Sequence, residues 1–129
     1  MFDLKHYKMD DSKKVEGVWI DFGGGAEFKL ASLGNSEFVR EYTKRQAPYT
    51  SLGREMPGDE VEAVVIELMS AYIVLDWKGV FLDEKELKCT PDNAAMVLTT
   101  FDPIRERIIK ESRSIENFAA DEEAKIEKN

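Results

Sequence analysis

Two residue types that carry nucleophilic and metal chemistry occur once each: His6 is the only histidine and Cys89 the only cysteine of the 129 residues. Acid–base or nucleophilic catalysis needs such groups held within hydrogen-bond reach in a pocket. His6 lies in MFDLKHYKMDDSKK, a stretch with neither a helical nor a strand period, so a Cys89–His6 pair requires this stretch to fold back. The simpler reading of Cys89 is a buried, inert thiol. One cysteine allows no internal disulfide and fits a reducing compartment. No CxxC or HExxH spacing gathers ligands for zinc or iron, and the serines and threonines stand in no GxSxG elbow. Asp76, beside Trp77, is the one carboxylate with apolar neighbours, where loss of water would raise its pKa; the alternative turns it outward. The sequence therefore predicts no catalytic residue, no metal and no cofactor, and the expectation is a protein that is not an enzyme.

A second chemical possibility is anion binding at Gly23, Gly24 and Gly25, because the backbone N–H groups of glycine turns can cradle phosphate. Neither GxxxxGK[ST] nor a helix opening follows these glycines. They sit instead between two strand-like segments. VEGVWID, from Val15, places Val18 and Ile20 on one side with Trp19 and Asp21 on the other. AEFKLA, from Ala26, alternates Ala26, Phe28 and Leu30 with Glu27, Lys29 and Ala31. The pattern predicts a β-hairpin closed by the glycines.

The remaining elements read as helices. Asn35 caps SEFVREYTKRQ, whose Phe38, Val39 and Tyr42 share a face and whose Glu41 and Arg45 suit an i, i+4 pair. Pro48 is expected to end it, and the segment from Ala47 to Asp59, rich in proline, glycine, serine and threonine, to be an exposed loop. In VEAVVIELMSAYIVLDWKGV, residues Val61, Val64, Val65, Leu68, Met69 and Tyr72 recur at i, i+3, i+4, i+7, i+8 and i+11. This predicts a central helix capped by Asp59, apolar almost all round through Leu75, and stopped by Gly79 with Val80 folding back on Leu75. Asp83 to Lys88 read as a turn. Thr90, Pro91 and Asp92 start a short helix, and Asp102 and Pro103 repeat the signal before a stripe of Ile104, Ile108, Ile115 and Phe118. The fold class is thus α+β, mainly α: an N-terminal β-hairpin followed by four to five helices packed around a central helix. Residues 1–14 are expected to be a flexible arm, 15–118 a single globular domain, and 119–129 an acidic C-terminal tail.

Hydrophobic residues make up 43% and charged residues 34%, a mixture that supports a folded domain rather than a disordered chain. The longest apolar run falls well short of the roughly 20 residues of a membrane span. The first residues carry scattered charges and no apolar signal core, so export by a cleaved signal is not expected. A net charge of −8 argues against nucleic-acid binding, which needs clustered lysine and arginine. It admits an acidic inhibitor or DNA mimic, but acids and bases alternate from Arg105 to Arg113, whereas a mimic groups carboxylates on one face.

The order of these features resembles the tail assembly chaperones of long-tailed bacteriophages, in particular the siphophages related to HK97. The resemblance rests on the VEGVW strand, the AEFKLAS strand leading to Asn35 and the Phe38/Tyr42 helix, and the apolar helix ending in Asp76-Trp77-Lys78-Gly79-Val80. The Thr90-Pro91-Asp92-Asn93-Ala94 helix start, the late Phe118 and the acidic end complete it. It spans Val15 to Asn129; the arm has no counterpart, and the turn at Asp83 to Lys88 lacks an expected glycine. The resemblance implies a non-catalytic protein of the host cytoplasm that coats the tape measure protein, keeps it soluble and promotes tail tube assembly around it. It also implies spiral self-association, and recruitment of tail tube protein through a frameshifted longer form. The surface expected to serve self-association or client binding comprises Val61, Val65, Met69, Ile73, Trp77, Ile104, Ile108 and Phe118. The nearest alternative is a structural head–tail connector or tail-completion protein.

Overall fold

The structure, a computed structural model, describes residues 1–120. Chain order is a 3-10 turn at Leu4–Tyr7, α1 (Asp11–Glu16), β1 (Val18–Gly23), β2 (Ala26–Leu30), α2 (Ser36–Thr50) and α3 (Gly58–Tyr72). Then follow β3 (Val74–Lys78), β4 (Phe81–Leu82), β5 (Lys85–Glu86), α4 (Pro91–Thr100), α5 (Asp102–Arg113) and a 3-10 turn at Ile115–Phe118. This is an α+β fold, mainly helical, with the N-terminal hairpin and the central helix that the sequence pattern predicts.

The hairpin gains a third strand. β2 lies in the middle of an antiparallel sheet in the order β1-β2-β3, with Phe28 opposite both Ile20 and Trp77. The inner face presents Phe28, Leu30, Val74 and Trp77 to Met69, Ile73, Val97, Leu98 and Ile108, forming one buried core between sheet and helices. A smaller cluster of Met56, Val64 and Leu68 joins α3 to α2.

The central helix is shorter than its pattern predicts. It stops at Tyr72, and Val74 to Lys78 form β3. The cause is a β-bulge: pairing steps from Lys29–Asp76 to Leu30–Val74, leaving Leu75 without an opposite residue. Two inward residues, Val74 and Trp77, are thereby spaced three apart, which imitates a helical period and hides strand alternation. Gly79 ends a strand, not a helix. It has φ +68°, and a Cβ there would overlap the Gly25 carbonyl oxygen and fall 3.1 Å from its carbon. The glycine turn of the hairpin and the end of β3 touch backbone to backbone at this point.

Local capping signals appear as read at two helices. The Asn35 side chain accepts from Phe38 N at 2.9 Å, and Thr90 Oγ1 accepts from Asn93 N at 3.1 Å. α3 begins one residue before Asp59, with Pro57 at the cap position and no side-chain cap; Asp59 and Glu60 occupy its first turn. α2 runs through Pro48 to Thr50, and the segment read as an exposed loop buries Met56. Glu41 pairs with Lys44 at 3.2 Å, while Arg45 reaches across to Glu67 of α3. α5 ends at Arg113, so the expected stripe breaks; Ile115 is exposed and Phe118 fully buried.

The segment read as a flexible arm carries structure. Met9 bridges Ala119, Asp10 N donates to Phe118 O at 2.8 Å and Ala120 N to Lys8 O at 2.9 Å. These are backbone bonds between the two ends of the described chain, and no side-chain period announces them. Of the expected acidic tail, Ala119 is buried; residues 121–129 lie outside the described residues.

Candidate functional site

An apolar groove of about 570 Å³ lies where the tip of the sheet meets α4 and α5. Each wall follows from local sequence. On β1 the register slips between Asp21 and Gly23, so Phe22 is bulged out of pairing and stacks on Phe28 at 4.3 Å between ring centroids. Val97 and Phe101 from the end of α4, with Pro103 and Ile104 from the start of α5, form the opposite wall. Arg107 is the only charged residue lining the groove among the described residues. Its guanidinium lies 4.5 Å from the Phe22 ring centre and donates to Asp21 O at 3.1 Å and to the Glu111 carboxylate at 3.3 Å. The Asp21 and Glu111 contacts hold it against the aromatic wall, where the cation meets the ring face.

The third side is a lip made by the β4–β5 hairpin. Phe81 is 61% exposed and Leu82 37% exposed, although both line the groove. The two residues at the lip's tip, Asp83 and Glu84, take φ of 50° and 66° without a glycine, as a two-residue turn with both centres left-handed requires. Trp77 fastens this hairpin from below: its indole Nε1 donates to Leu87 O at 2.6 Å, and Leu87 N donates to Val80 O at 2.8 Å. A buried core tryptophan thus sets the position of an exposed apolar lip.

Of the eight residues expected on a binding surface, five are interior. Met69, Ile73, Trp77, Ile108 and Phe118 are buried by this chain: Trp77 faces inward from the third strand, which reads as helix, Met69, Ile73 and Ile108 pack in the same core, and the N-terminal segment bonds beside Phe118. Ile104 lines the groove. Val65, with Met69, borders a shallower depression of about 290 Å³ beside Phe38 and Tyr42, and Val61 packs toward the Met56 cluster. The structure does not gather the eight into one surface. Pattern reading misses Phe22, Phe81, Leu82 and Arg107. The available signal was Phe81-Leu82 itself, an apolar pair between Gly79 and an acidic turn with no period to bury it.

The chemically reactive residues stand apart from this groove. Cys89 is half-buried; burial, and then the negative charge of Asp76, push its thiol up from 9.0 to about 11. It stays protonated at neutral pH and is a weak nucleophile there. Asp76 is exposed and accepts from Trp77 N at 2.8 Å, the outward arrangement. Gly23 to Gly25 form the hairpin turn. Among the described residues no three His, Cys, Asp or Glu side chains converge as a metal site, and no helix is long and apolar enough to cross a membrane. Tyr49 donates to the Glu60 carboxylate, and this bond raises its phenol above the usual tyrosine value.

Fold and groove define a small α+β protein with an open apolar cleft between its sheet and its last two α-helices. The chain belongs to the YdaY prophage protein family, whose model matches residues 33–129, and is therefore of phage derivation. Comparison with curated proteins and with solved structures gives no match. The matched part begins at Leu33, after the hairpin, so the groove is walled jointly by residues inside and outside it.

Proposed function

We propose that this prophage protein is a tail assembly chaperone, which binds the tape measure protein in the host cytoplasm, keeps it soluble and promotes tail tube assembly around it. The observation that carries the reading is the apolar groove with Phe81 and Leu82 left exposed on its lip. Aliphatic and aromatic walls of this kind accept an amphipathic helix through anchors at i, i+3 or i+4 and i+7, and a tape measure protein is a long helical client. The same reading has the protein act by packing against its client, as a non-catalytic protein without a cofactor. Self-association and a frameshifted longer form that recruits tail tube protein belong to the same reading.

The test is co-expression with fragments of the tape measure protein from the same prophage. Wild type is expected to move the fragments into the soluble fraction, and Leu82→Glu to lose that effect while remaining folded. Fragments that precipitate with wild type, or that Leu82→Glu rescues equally well, would refute the proposal. A protein inventory of finished virions separates the rival class: a chaperone is missing from them, and a head–tail connector is present.

A further inference from the structure

Arg107 is restrained on three sides, yet most of its hydrogen-bond donors have no partner. Its guanidinium lies over the Phe22 ring, Nε donates to Glu111 Oε2 at 3.3 Å and Nη2 donates to Asp21 O at 3.1 Å. Glu111 is itself fixed. Its side chain is 14% exposed, and Asn117 Nδ2 donates to its carbonyl oxygen at 2.9 Å and to its carboxylate Oε1 at 3.5 Å. A guanidinium carries five N–H groups, and the two bonds of Arg107 use one on Nε and one on Nη2. Nη1 therefore keeps both of its donors and Nη2 keeps one, with no acceptor for them among the described residues.

The restraint matters because a long side chain free on a surface turns through many rotamers and loses that freedom on binding. Here ring, carbonyl and carboxylate fix the plane in the folded protein, so the remaining donors are set before anything arrives. Free donors on two nitrogens of one planar group suit the two oxygens of a carboxylate, taken as a pair. The side chain is 40% exposed and lines the groove, whose other lining residues are all uncharged. Asp83 and Glu84, at the tip of the lip, are not among the lining residues. Glu111 offsets part of the Arg107 charge, so recognition here rests on directed hydrogen bonds rather than on net charge.

We infer that Arg107 selects what enters the groove: the client segment is an amphipathic helix with an Asp or Glu beside its apolar anchors, and that carboxylate takes the free Nη1 and Nη2 donors. The anchors pack at the same time on Phe28, Leu82 and Ile104, which line the groove. This deepens the proposed function and rests on it, because it names the chemistry of the client that the same groove accepts. An apolar helix without the acid still packs, but it leaves the arginine's donors to water and is held less tightly.

The test is fluorescence anisotropy of the full chain with labelled synthetic helical peptides that share one stripe of leucine and phenylalanine at i, i+4 and i+7. In one set Glu is placed in turn at each position flanking the stripe; matched sets carry Gln or Lys there. At one position Glu should bind wild type about tenfold more tightly than Gln, and Lys more weakly than either. Arg107→Gln, checked for folding by circular dichroism, should bring that Glu-to-Gln ratio to about one. The ratio compares two peptides on one protein, so a general loss of groove shape does not move it. Wild type that binds all three sets alike, or an Arg107→Gln protein that keeps the tenfold ratio, overturns the inference. Should Arg107→Gln not fold, the wild-type ratios alone decide. Binding without preference leaves the helix-in-groove reading standing and refutes only the selection, whereas peptides that do not bind at all refute both.

Discussion

Replacing Gly79 with alanine should destabilise the fold by about 3 kcal/mol, and the structure divides that figure into two parts. Gly79 has φ +68°, a region that costs a residue with a Cβ about 1–2 kcal/mol. The added Cβ also meets backbone, the carbonyl of Gly25, which cannot swing aside as a side chain does; overpacking of this kind typically costs 1–3 kcal/mol. For a domain of this size about 3 kcal/mol lowers Tm by roughly 12 °C. Gly25→Ala is the internal control, since Gly25 has φ +84° but nothing within 4 Å of its would-be Cβ. It should show the conformational part alone, about 1–2 kcal/mol. Thermal and urea unfolding of the two variants give the difference. If Gly79→Ala melts with Gly25→Ala, the backbone contact between β3 and the hairpin turn does not exist.

Three further outcomes follow from single sites. Glu84→Gly should raise Tm by a few degrees, because it relieves a left-handed glutamate at the tip of the lip, and a thermal melt checks it. Ser112→Ala should be neutral or stabilising by about 1 kcal/mol in urea titration, since the fully buried Ser112 Oγ has no hydrogen-bond partner among the described residues. Cys89 should react slowly with a thiol reagent at pH 8 in the native protein and quickly in denaturant. Its folded pKa is raised from 9.0 to about 11, so the thiol's contribution to stability is complete below pH 9 and lost as pH rises through 11. Wild type should therefore lose stability relative to Cys89→Ala across that window.

The parts of the fold legible in the sequence are those fixed by neighbours in the chain. Asn35 and Thr90 cap helices whose first N–H groups lie three residues away, and the alternation of Phe28 and Leu30 with Glu27 and Lys29 is a property of six consecutive residues. β3 was hidden because a bulge at Leu75 puts Val74 and Trp77 three apart. The N-terminal segment was hidden because backbone bonds to Phe118 and Ala120, more than 100 residues away in sequence, hold it. The candidate site suffered from the first of these. Once Val74 to Lys78 is a strand, Met69 and Ile73 are covered by the sheet, Trp77 faces inward from it, and the exposed apolar residues of this stretch are Phe81 and Leu82.

That displacement bears on function. Phe81 and Leu82 make up one strand of a hairpin whose two strands have two residues each, too short to be stable alone, and the turn joining β4 to β5 uses Asp-Glu where Asn-Gly would relieve strain. The hairpin survives because Trp77 and Val80 hold Leu87 from the core side. Folding thus maintains at the groove mouth a strained turn and two exposed apolar side chains, although a polar pair at those positions would remove the exposed greasy surface. Local choices that work against stability concentrate where a protein meets something else. Here they fall together on one lip, above walls of Phe22, Phe28 and Ile104, with Asp83 and Glu84 at its tip. Of the eight residues picked from helical pattern five are buried by this chain, whereas Phe81 and Leu82, which pattern reading passed over, are the apolar residues left exposed on the groove's lip.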